Sequence, residues 1–456
     1  MKSRVLLVGF LPLIFGACAT STSHPVTALP TPLPPRVSVD EQSAALRQDL
    51  ASAYDQIVAR STGEIKPTVV DADAALSIEI PDHRTIRGAV KYFSGDLHDK
   101  IQASLDRSAQ FKPMIDKVLD EYKLPRALAY LPVIESAYSP TLTSRAGAHG
   151  VWQFMPSTAA EYGLRLDWWV DDRANPEKAT RAAAKYLRDL YNQFHDWPLA
   201  LAAYNAGPGR VSRALTDNNV TSFWELCDKA ALPKETRGYV PTFFATILIA
   251  SDPPSYGFQL HDGVIPEVKK VSVDGPLSLD YVAEVADIDS TELRKLNPEL
   301  RRGLIPPGSN QIIVPSKCAE RIASRASTLR YEDTKMSVAS FTMRPGDTLN
   351  GLARAIGVDA ADILKMNGLA TNRISAGDAL YLPVKQTELS TRLQARQAPA
   401  DGYYTVVQGD TLYSIAKRFR LTVEELTDLN RLDDTSIHPG DRLRISLGTI
   451  LTTGGM

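Results

Sequence analysis

Glu135-Ser-Ala-Tyr-Ser-Pro140, followed after a short loop by Gly150-Val-Trp-Gln-Phe-Met-Pro156, is the stretch on which the reading of this chain turns. Glu135 closes the apolar run Ala127-Leu-Ala-Tyr-Leu-Pro-Val-Ile134, so its carboxyl is expected to lie in apolar surroundings. Removing a carboxyl from water penalises the charged form and raises its pKa, and a general acid has to keep its proton near neutral pH. A carboxylic acid tuned in this way is what the breaking of a glycosidic bond requires. Gly147 and Gly150 are read as tight backbone turns beside it.

Around this stretch, from about 86 to 253, the pattern is helical. Pro125 and Pro156 lie near helix starts, and Asn175-Pro176 supplies an N-cap followed by proline at the first helical position. Ala183, Tyr186, Leu187, Leu190 and Phe194 share one face at helical spacing. Strand-like alternation is nearly absent, which predicts an all-α domain. Upstream, Glu41 to Arg60 also has a helical pattern, to which the sequence attaches no role.

The C-terminal third is repetitive. Ala283 to Asn297, Ala353 to Asn367 and Ala416 to Asn430 are each fourteen residues apart. The second and third copies open with Gly346-Asp-Thr-Leu349 and Gly409-Asp-Thr-Leu412. They close with Ala376-Gly-Asp-Ala-Leu-Tyr-Leu-Pro383 and Pro439-Gly-Asp-Arg-Leu-Arg-Ile-Ser446. Each unit reads strand, helix, helix, strand, at a size near the lower limit for independent folding, roughly 40 residues. The first copy carries Pro276-Leu-Ser-Leu279 in place of the Gly-Asp opening.

Five blocks in the helical region occur in order: Glu135-Ser-Ala-Tyr138, Ser144 to Gly147, Gly150 to Pro156, Ala202-Ala-Tyr-Asn-Ala-Gly207 and Glu235-Thr-Arg-Gly-Tyr-Val240. Together they resemble the soluble lytic transglycosylase catalytic domain, related in fold to goose-type lysozyme. The repeats resemble LysM domains, which bind N-acetylglucosamine-containing glycans. With the lipobox-like start described below, the arrangement is similar to that of the D-type membrane-bound lytic murein transglycosylases. The fold implied is multidomain: an all-α lysozyme-like catalytic domain followed by small α+β (βααβ) LysM domains. The resemblance makes Glu135 the sole catalytic acid and base. It places Ser144, Gln153, Met155, Tyr204, Asn205 and Tyr239, the last at the opening of a helix, along the sugar groove. An amide can both donate to and accept from sugar hydroxyl or acetamido groups, and a thioether suits the apolar faces of sugar rings. Trp168 and Trp169 are read as core, and Asp171-Asp172-Arg173 as loop structure and capping.

A glycosidase of the usual kind has a second carboxylate, about 5–5.5 Å from the acid where it acts as nucleophile. None of the blocks after Glu135 supplies an obvious one; Glu161 and Asp167 match no catalytic block. The resemblance therefore implies cleavage of the β-1,4 bond between N-acetylmuramic acid and N-acetylglucosamine in peptidoglycan, with formation of a 1,6-anhydro end. The residues alone leave open a hydrolytic muramidase on the same fold and a non-enzymatic wall-binding scaffold.

The rest of the chain sets bounds. At 456 residues the chain has room for roughly two to four domains, and a net charge of −2 does not mark it as a binder of nucleic acid. Lys2 and Arg4 precede an apolar run from Val5 to Cys18, shorter than the roughly 18–20 residues of a membrane span and read as a secretory signal. Leu13-Ile-Phe-Gly-Ala-Cys18 resembles a bacterial lipobox, with Phe15 where that pattern usually has Leu. It makes Cys18 the expected lipidated residue and membrane anchor, and Ala19 after it favours the outer membrane, facing the periplasm. Cys227 and Cys318 are expected to be buried, unpaired thiols. No metal or nucleotide motif occurs, and no cofactor is expected. The expected domains are a lipoprotein signal at 1–18, a tether and N-terminal segment at 19–85, and the catalytic domain at 86–255. A degenerate LysM-like repeat follows at 256–316, a LysM at 340–384, a linker at 385–401 and a second LysM at 402–447.

Overall fold

A computed structural model of the chain describes residues 38–70, 77–263, 265–326, 338–343, 347–371, 374–375, 377–385, 388–389, 402–406, 408, 410–419, 421–432, 434 and 436–445. The signal segment 1–18 with Cys18, the proline-rich stretch up to 37 and most of the linker 385–401 lie outside the described residues.

The helical body is built from α1 (Val39–Ala51), α2 (Ala53–Ala59), α3 (Arg84–Ser94), α4 (His98–Glu121), α5 (Leu131–Glu135), α6 (Pro156–Glu161), α7 (Pro176–Phe194), α8 (Trp197–Ala206), α9 (Pro208–Asn218), α10 (Phe223–Asp228) and α11 (Lys234–Ser251). Local chemistry sets several of these boundaries. The Asn175 side chain accepts from the Lys178 amide at 3.0 Å to start α7, and His195 ends it in a left-handed conformation. The Asp196 side chain then caps α8 through the Leu199 amide at 2.8 Å. Helix α11 buries Val240, Phe243, Phe244, Ala245, Ile247 and Ile249 on all sides. A helix that beyond its first turn is buried all round belongs inside a bundle. It packs against α1, α2, α3, α5 and α8 and forms the axis around which the site is assembled.

The N-terminal segment departs from the reading of 19–85 as tether and unassigned sequence. Leu46, Ala53, Ile57, Ile78 and Ile80 are buried in the same core as helices α3 to α11. The last two sit on a small antiparallel hairpin, β1 (Thr68–Val70) with β2 (Ile78–Ile80), Thr68 opposite Ile80. Helices α2 and α3 touch so closely that a Cβ at Gly88 would meet the Ile57 carbonyl oxygen at 1.9 Å. The helical body therefore begins at α1, well before residue 86.

Beyond it, three strand–helix–helix–strand units follow. The first pairs β3 (Val268–Ser278) with β4 (Leu304–Pro315), antiparallel, around helices Leu279–Ala286 and Ser290–Leu296. It does not stop at 316: helix Ser316–Arg325 adds Cys318, Ala319 and Ile322 to the same core. The second pairs Ala339–Thr342 with Ala379–Leu382, and the third Tyr403–Thr405 with Arg442–Arg444. The repeated asparagine explains the common spacing. Asn367 Nδ2 donates to the Ile363 and Tyr381 carbonyls at 2.8 and 2.7 Å, and its Oδ1 accepts from the Tyr381 amide at 2.7 Å. Asn430 does the same with Leu426 and Arg444, and Asn297 with Leu293 and Ile313. Each asparagine thus clamps the end of the second helix to the last strand.

Trp168 and Trp169 are core residues, as the sequence indicates, in a cluster with Leu304, Val338 and Met366 from the first two repeats. The Trp169 indole N–H donates to the Met366 carbonyl at 2.8 Å, and the Arg302 guanidinium lies 4.2 Å over the Trp168 ring. Cys227 and Cys318 are buried free thiols.

Candidate active site

Glu135 is the last residue of α5 and is 5 % exposed. The chain leaves it through Ala137 and Tyr138, both left-handed (φ 48° and 60°), and the Ser136 hydroxyl donates to the Val151 carbonyl at 2.7 Å. This hydrogen bond joins the turn after Glu135 to the loop carrying Gln153. Gly150 in that loop has φ +83°, and a Cβ there would lie 1.9 Å from the Arg173 carbonyl oxygen, so glycine is required. Trp152 is fully buried, its indole N–H donating to Thr180 Oγ1 at 2.9 Å on α7. Gln153 itself is left-handed, φ 49°, a conformation that non-glycine residues keep mainly where surrounding structure enforces it.

Both carboxyl oxygens of Glu135 receive donors. The Tyr239 hydroxyl donates to Oε1 at 2.5 Å, and Arg47 Nη1 donates to Oε2 at 3.1 Å. The same Nη1 also donates to the Glu135 carbonyl at 2.7 Å and to Gln153 Oε1 at 2.8 Å. Burial pushes the Glu135 carboxyl above its ordinary 4.5, and the negative charge of Glu235 adds to the rise. The Arg47 charge and the hydrogen bonds from Tyr239 and Arg47 pull it back. Glu235 is exposed in the first turn of α11. Burial and the neighbouring Glu135 charge hold the Tyr204 and Tyr239 phenols well above 10.0, so both remain donors.

The residues singled out in the sequence separate into groups. Glu135, Gln153 and Tyr239 form one hydrogen-bonded cluster, and Tyr204 stands within reach of its field, its hydroxyl donating to the Trp152 carbonyl at 2.8 Å. Met155 precedes the first residue of α6 and is 40 % exposed, so it is a surface residue rather than packed core. Asn205 Oδ1 accepts from Thr236 Oγ1 at 2.8 Å, tying α8 to α11. Ser144 serves its own loop, Oγ accepting from the Ala148 amide at 3.0 Å. Two placements differ from the sequence reading. The Gln153 amide faces protein rather than a ligand, since Nε2 donates to the Leu142 and Gly150 carbonyls at 3.0 and 2.9 Å and Oε1 holds Arg47. Tyr239 does not open its helix but lies in the second turn of α11.

Arg47 is the residue that sequence reasoning missed. It sits on α1, whose Asp40 accepts from Thr141 Oγ1 at 2.9 Å and from the Ser139 hydroxyl, so that helix is fastened across the turn that follows Glu135. Its one sequence signal is its position four residues after Ser43 and beside Leu46, the two buried residues of α1.

Comparison with known proteins places this geometry. The Transglycosylase SLT domain family matches residues 113–227, and the LysM domain family matches 341–383 and 404–446. The family described as the LysM-like domain of lytic transglycosylase MltD matches 267–331. Membrane-bound lytic murein transglycosylase D of Escherichia coli K12 is 32% identical over 338 residues, covering 71% of this chain and 73% of its own. The chain belongs to the membrane-bound lytic murein transglycosylase D family. Peptidoglycan transglycosylase gp16 of Escherichia phage T7 is 33% identical over 181 residues, 39% of this chain and 13% of its own. Among solved structures, the 70 kDa soluble lytic transglycosylase of Escherichia coli is 21% identical, with 51% of this chain and 34% of that one covered at a TM-score of 0.30. Within this transglycosylase D chain the SLT match contains Glu135, Ser144, Gln153, Met155, Tyr204 and Asn205. Arg47 and Tyr239, the two donors to the Glu135 carboxyl, come from its flanks.

Proposed function

We infer that this chain is a peptidoglycan lytic transglycosylase in which Glu135 acts first as acid and then as base. The observation that carries this reading is a buried carboxyl, held above its ordinary range by burial, whose two oxygens are separately addressed by Tyr239 and Arg47. Glu135 donates its proton to the glycosidic oxygen between N-acetylmuramic acid and N-acetylglucosamine as the C1–O bond breaks. The muramoyl acetamido carbonyl stabilises the positive charge developing at C1. The C6 hydroxyl then attacks C1 and returns a proton to the Glu135 carboxylate. The product is a 1,6-anhydro sugar, formed without water, and holding the C6 hydroxyl against C1 replaces a bimolecular encounter by a proximity effect.

The surrounding residues have supporting parts in this proposal. Met155 offers an apolar surface to a sugar ring, Tyr204 and Asn205 border the site, Gln153 acts through Arg47, and Ser144 shapes the loop. The LysM units hold glycan and raise the local concentration of substrate at the catalytic body. Lipidation at Cys18, followed by Ala19, anchors the chain on the periplasmic side of the outer membrane; the relative's description as membrane-bound supports an envelope location.

One observation favours the hydrolytic alternative: Glu235 is near enough to act on the Glu135 carboxyl. A water activated there would make the enzyme a muramidase. Release of soluble fragments from purified sacculi by Glu135→Gln and Glu235→Gln separates the two. The transglycosylase reading expects a loss of at least about 100-fold for Glu135→Gln, the scale of general acid–base catalysis, and near wild-type release for Glu235→Gln. Equal activity of Glu135→Gln and wild type would sink the assignment of the acid. Silence of both variants would hand the second step to Glu235 and water.

A further inference from the structure

The guanidinium of Arg47 is held from three directions by one nitrogen. Nη1 reaches the Glu135 carbonyl at 2.7 Å, Gln153 Oε1 at 2.8 Å and Glu135 Oε2 at 3.1 Å. Gln153 cannot turn away from this contact cheaply, because its own Nε2 donates to the Leu142 and Gly150 carbonyls. The two shorter bonds are therefore independent of the protonation of the carboxyl, and the longest bond depends on it. Arginine has five donors and no acceptor. A proton on the carboxyl removes its negative charge and weakens that bond, while the other two keep the guanidinium beside the site. The Arg47 side chain is 29 % exposed against 6 % for that of Glu135, so Arg47 lies on the open side of the pair.

We propose that Arg47, carried by α1 and aimed by Gln153, is a positioning residue that engages Glu135 Oε2 most strongly in the carboxylate state and so holds the base for the second half of the reaction. The proposal rests on the assignment of Glu135 as acid and base. It gives an ordered role to a helix outside the Transglycosylase SLT match at 113–227, and it makes Gln153 a support for Arg47 rather than a sugar ligand. An interaction stronger in one protonation state than in the other is a differential contact, which changes rate rather than ground-state binding. The charged and titratable groups facing Glu135 are Arg47 on α1, Tyr204 on α8 and Tyr239 and Glu235 on α11. Arg47 is the only cation among these four, and with it removed the carboxyl is left to burial, Glu235 and the phenols.

The test is the pH dependence of kcat and KM for full-length protein in detergent acting on soluble, uncross-linked glycan strands. Wild type, Arg47→Met, Arg47→Lys and Glu135→Gln are compared. Arg47→Met is expected to lose about ten-fold in kcat, the scale of one hydrogen bond to a charged group, with KM little changed. Its alkaline limb, which reports loss of the Glu135 proton, is expected to move to higher pH by about one pH unit as the opposing charge is removed. Arg47→Lys keeps the charge and is expected to keep the limb in place. An active wild type and a silent Glu135→Gln, with the Arg47→Met limb superimposed on wild type, would overturn the positioning role while leaving the lytic reading intact. A drop in kcat for Arg47→Met that Arg47→Lys shares in full, with neither limb moved, would reduce Arg47 to a structural prop. A wild type that releases nothing would overturn both.

Discussion

At the scale of single residues, Glu135 is balanced between opposing influences, and its two oxygens have different partners. Burial and Glu235 favour the acid; Arg47 and Tyr239 favour the carboxylate. The Tyr239 hydroxyl, at 2.5 Å, also fixes the rotation of the carboxyl. Tyr239→Phe is expected to cost about ten-fold in kcat. It removes a hydrogen bond that stabilises the charged form, so the alkaline limb of its pH–rate profile should lie above that of wild type. An unmoved limb would mean that Tyr239 supports packing alone. The same balance has a sign for stability. Because the folded carboxyl lies above 4.5, the contribution of Glu135 to stability is complete below that pH and is lost as pH rises through the raised value. Much of this was legible in the sequence. The apolar run before Glu135 announced its burial, and Gly150 announced a tight turn, which the close approach of the Arg173 carbonyl explains. The donor to Oε2 was not legible, because a polar residue aimed inward from a short, weakly apolar helix leaves no periodic trace. The bond between Gln153 and Arg47 was not legible for the same reason: the two lie 106 residues apart in sequence.

Among the elements, the repeats show how a spacing becomes a contact. The fourteen-residue interval from alanine to asparagine was visible in the sequence. Its reason emerges only when Asn367 and Asn430 are seen bonding a helix carbonyl and both polar groups of a strand residue fourteen positions on. In the first repeat the strand partner of Asn297 is sixteen positions on, in a unit whose last strand, β4, is much longer than those of the other two. These units have little core, so a half-buried clamp of three hydrogen bonds matters. Asn367→Ala leaves the Tyr381 amide without its partner and is expected to cost about 2–3 kcal/mol locally. Hydrogen exchange at the Tyr381 amide should accelerate by roughly 30- to 150-fold, with exchange in α11 unchanged. Unaltered protection at Tyr381 would show that the strand pair holds without the asparagine. Helix α1 teaches the complementary lesson. Its pattern was readable as helical, but its docking was not, because Asp40 and Arg47 are held by residues that are distant in the chain.

For the whole molecule, the sequence conveyed the order of parts: an all-α body followed by βααβ units. The physical connections between them were less visible. Trp168 and Trp169 read as core, and they are, but the core they enter includes Leu304, Val338 and Met366 of the repeats. Residues 39–70 and 77–80, to which the sequence attached no role, close the helical body and bring an arginine to its carboxyl. The proposed enzyme is therefore a catalytic body whose N-terminal helix completes the site and whose repeats are docked beside it. Its central claim is chemical: one carboxyl acts twice, and the substrate supplies its own nucleophile. Mass spectrometry of the soluble fragments released from purified sacculi tests this most directly. The account predicts muropeptides one water lighter than hydrolysis products, each ending in a 1,6-anhydro ring; fragments with reducing ends would contradict it.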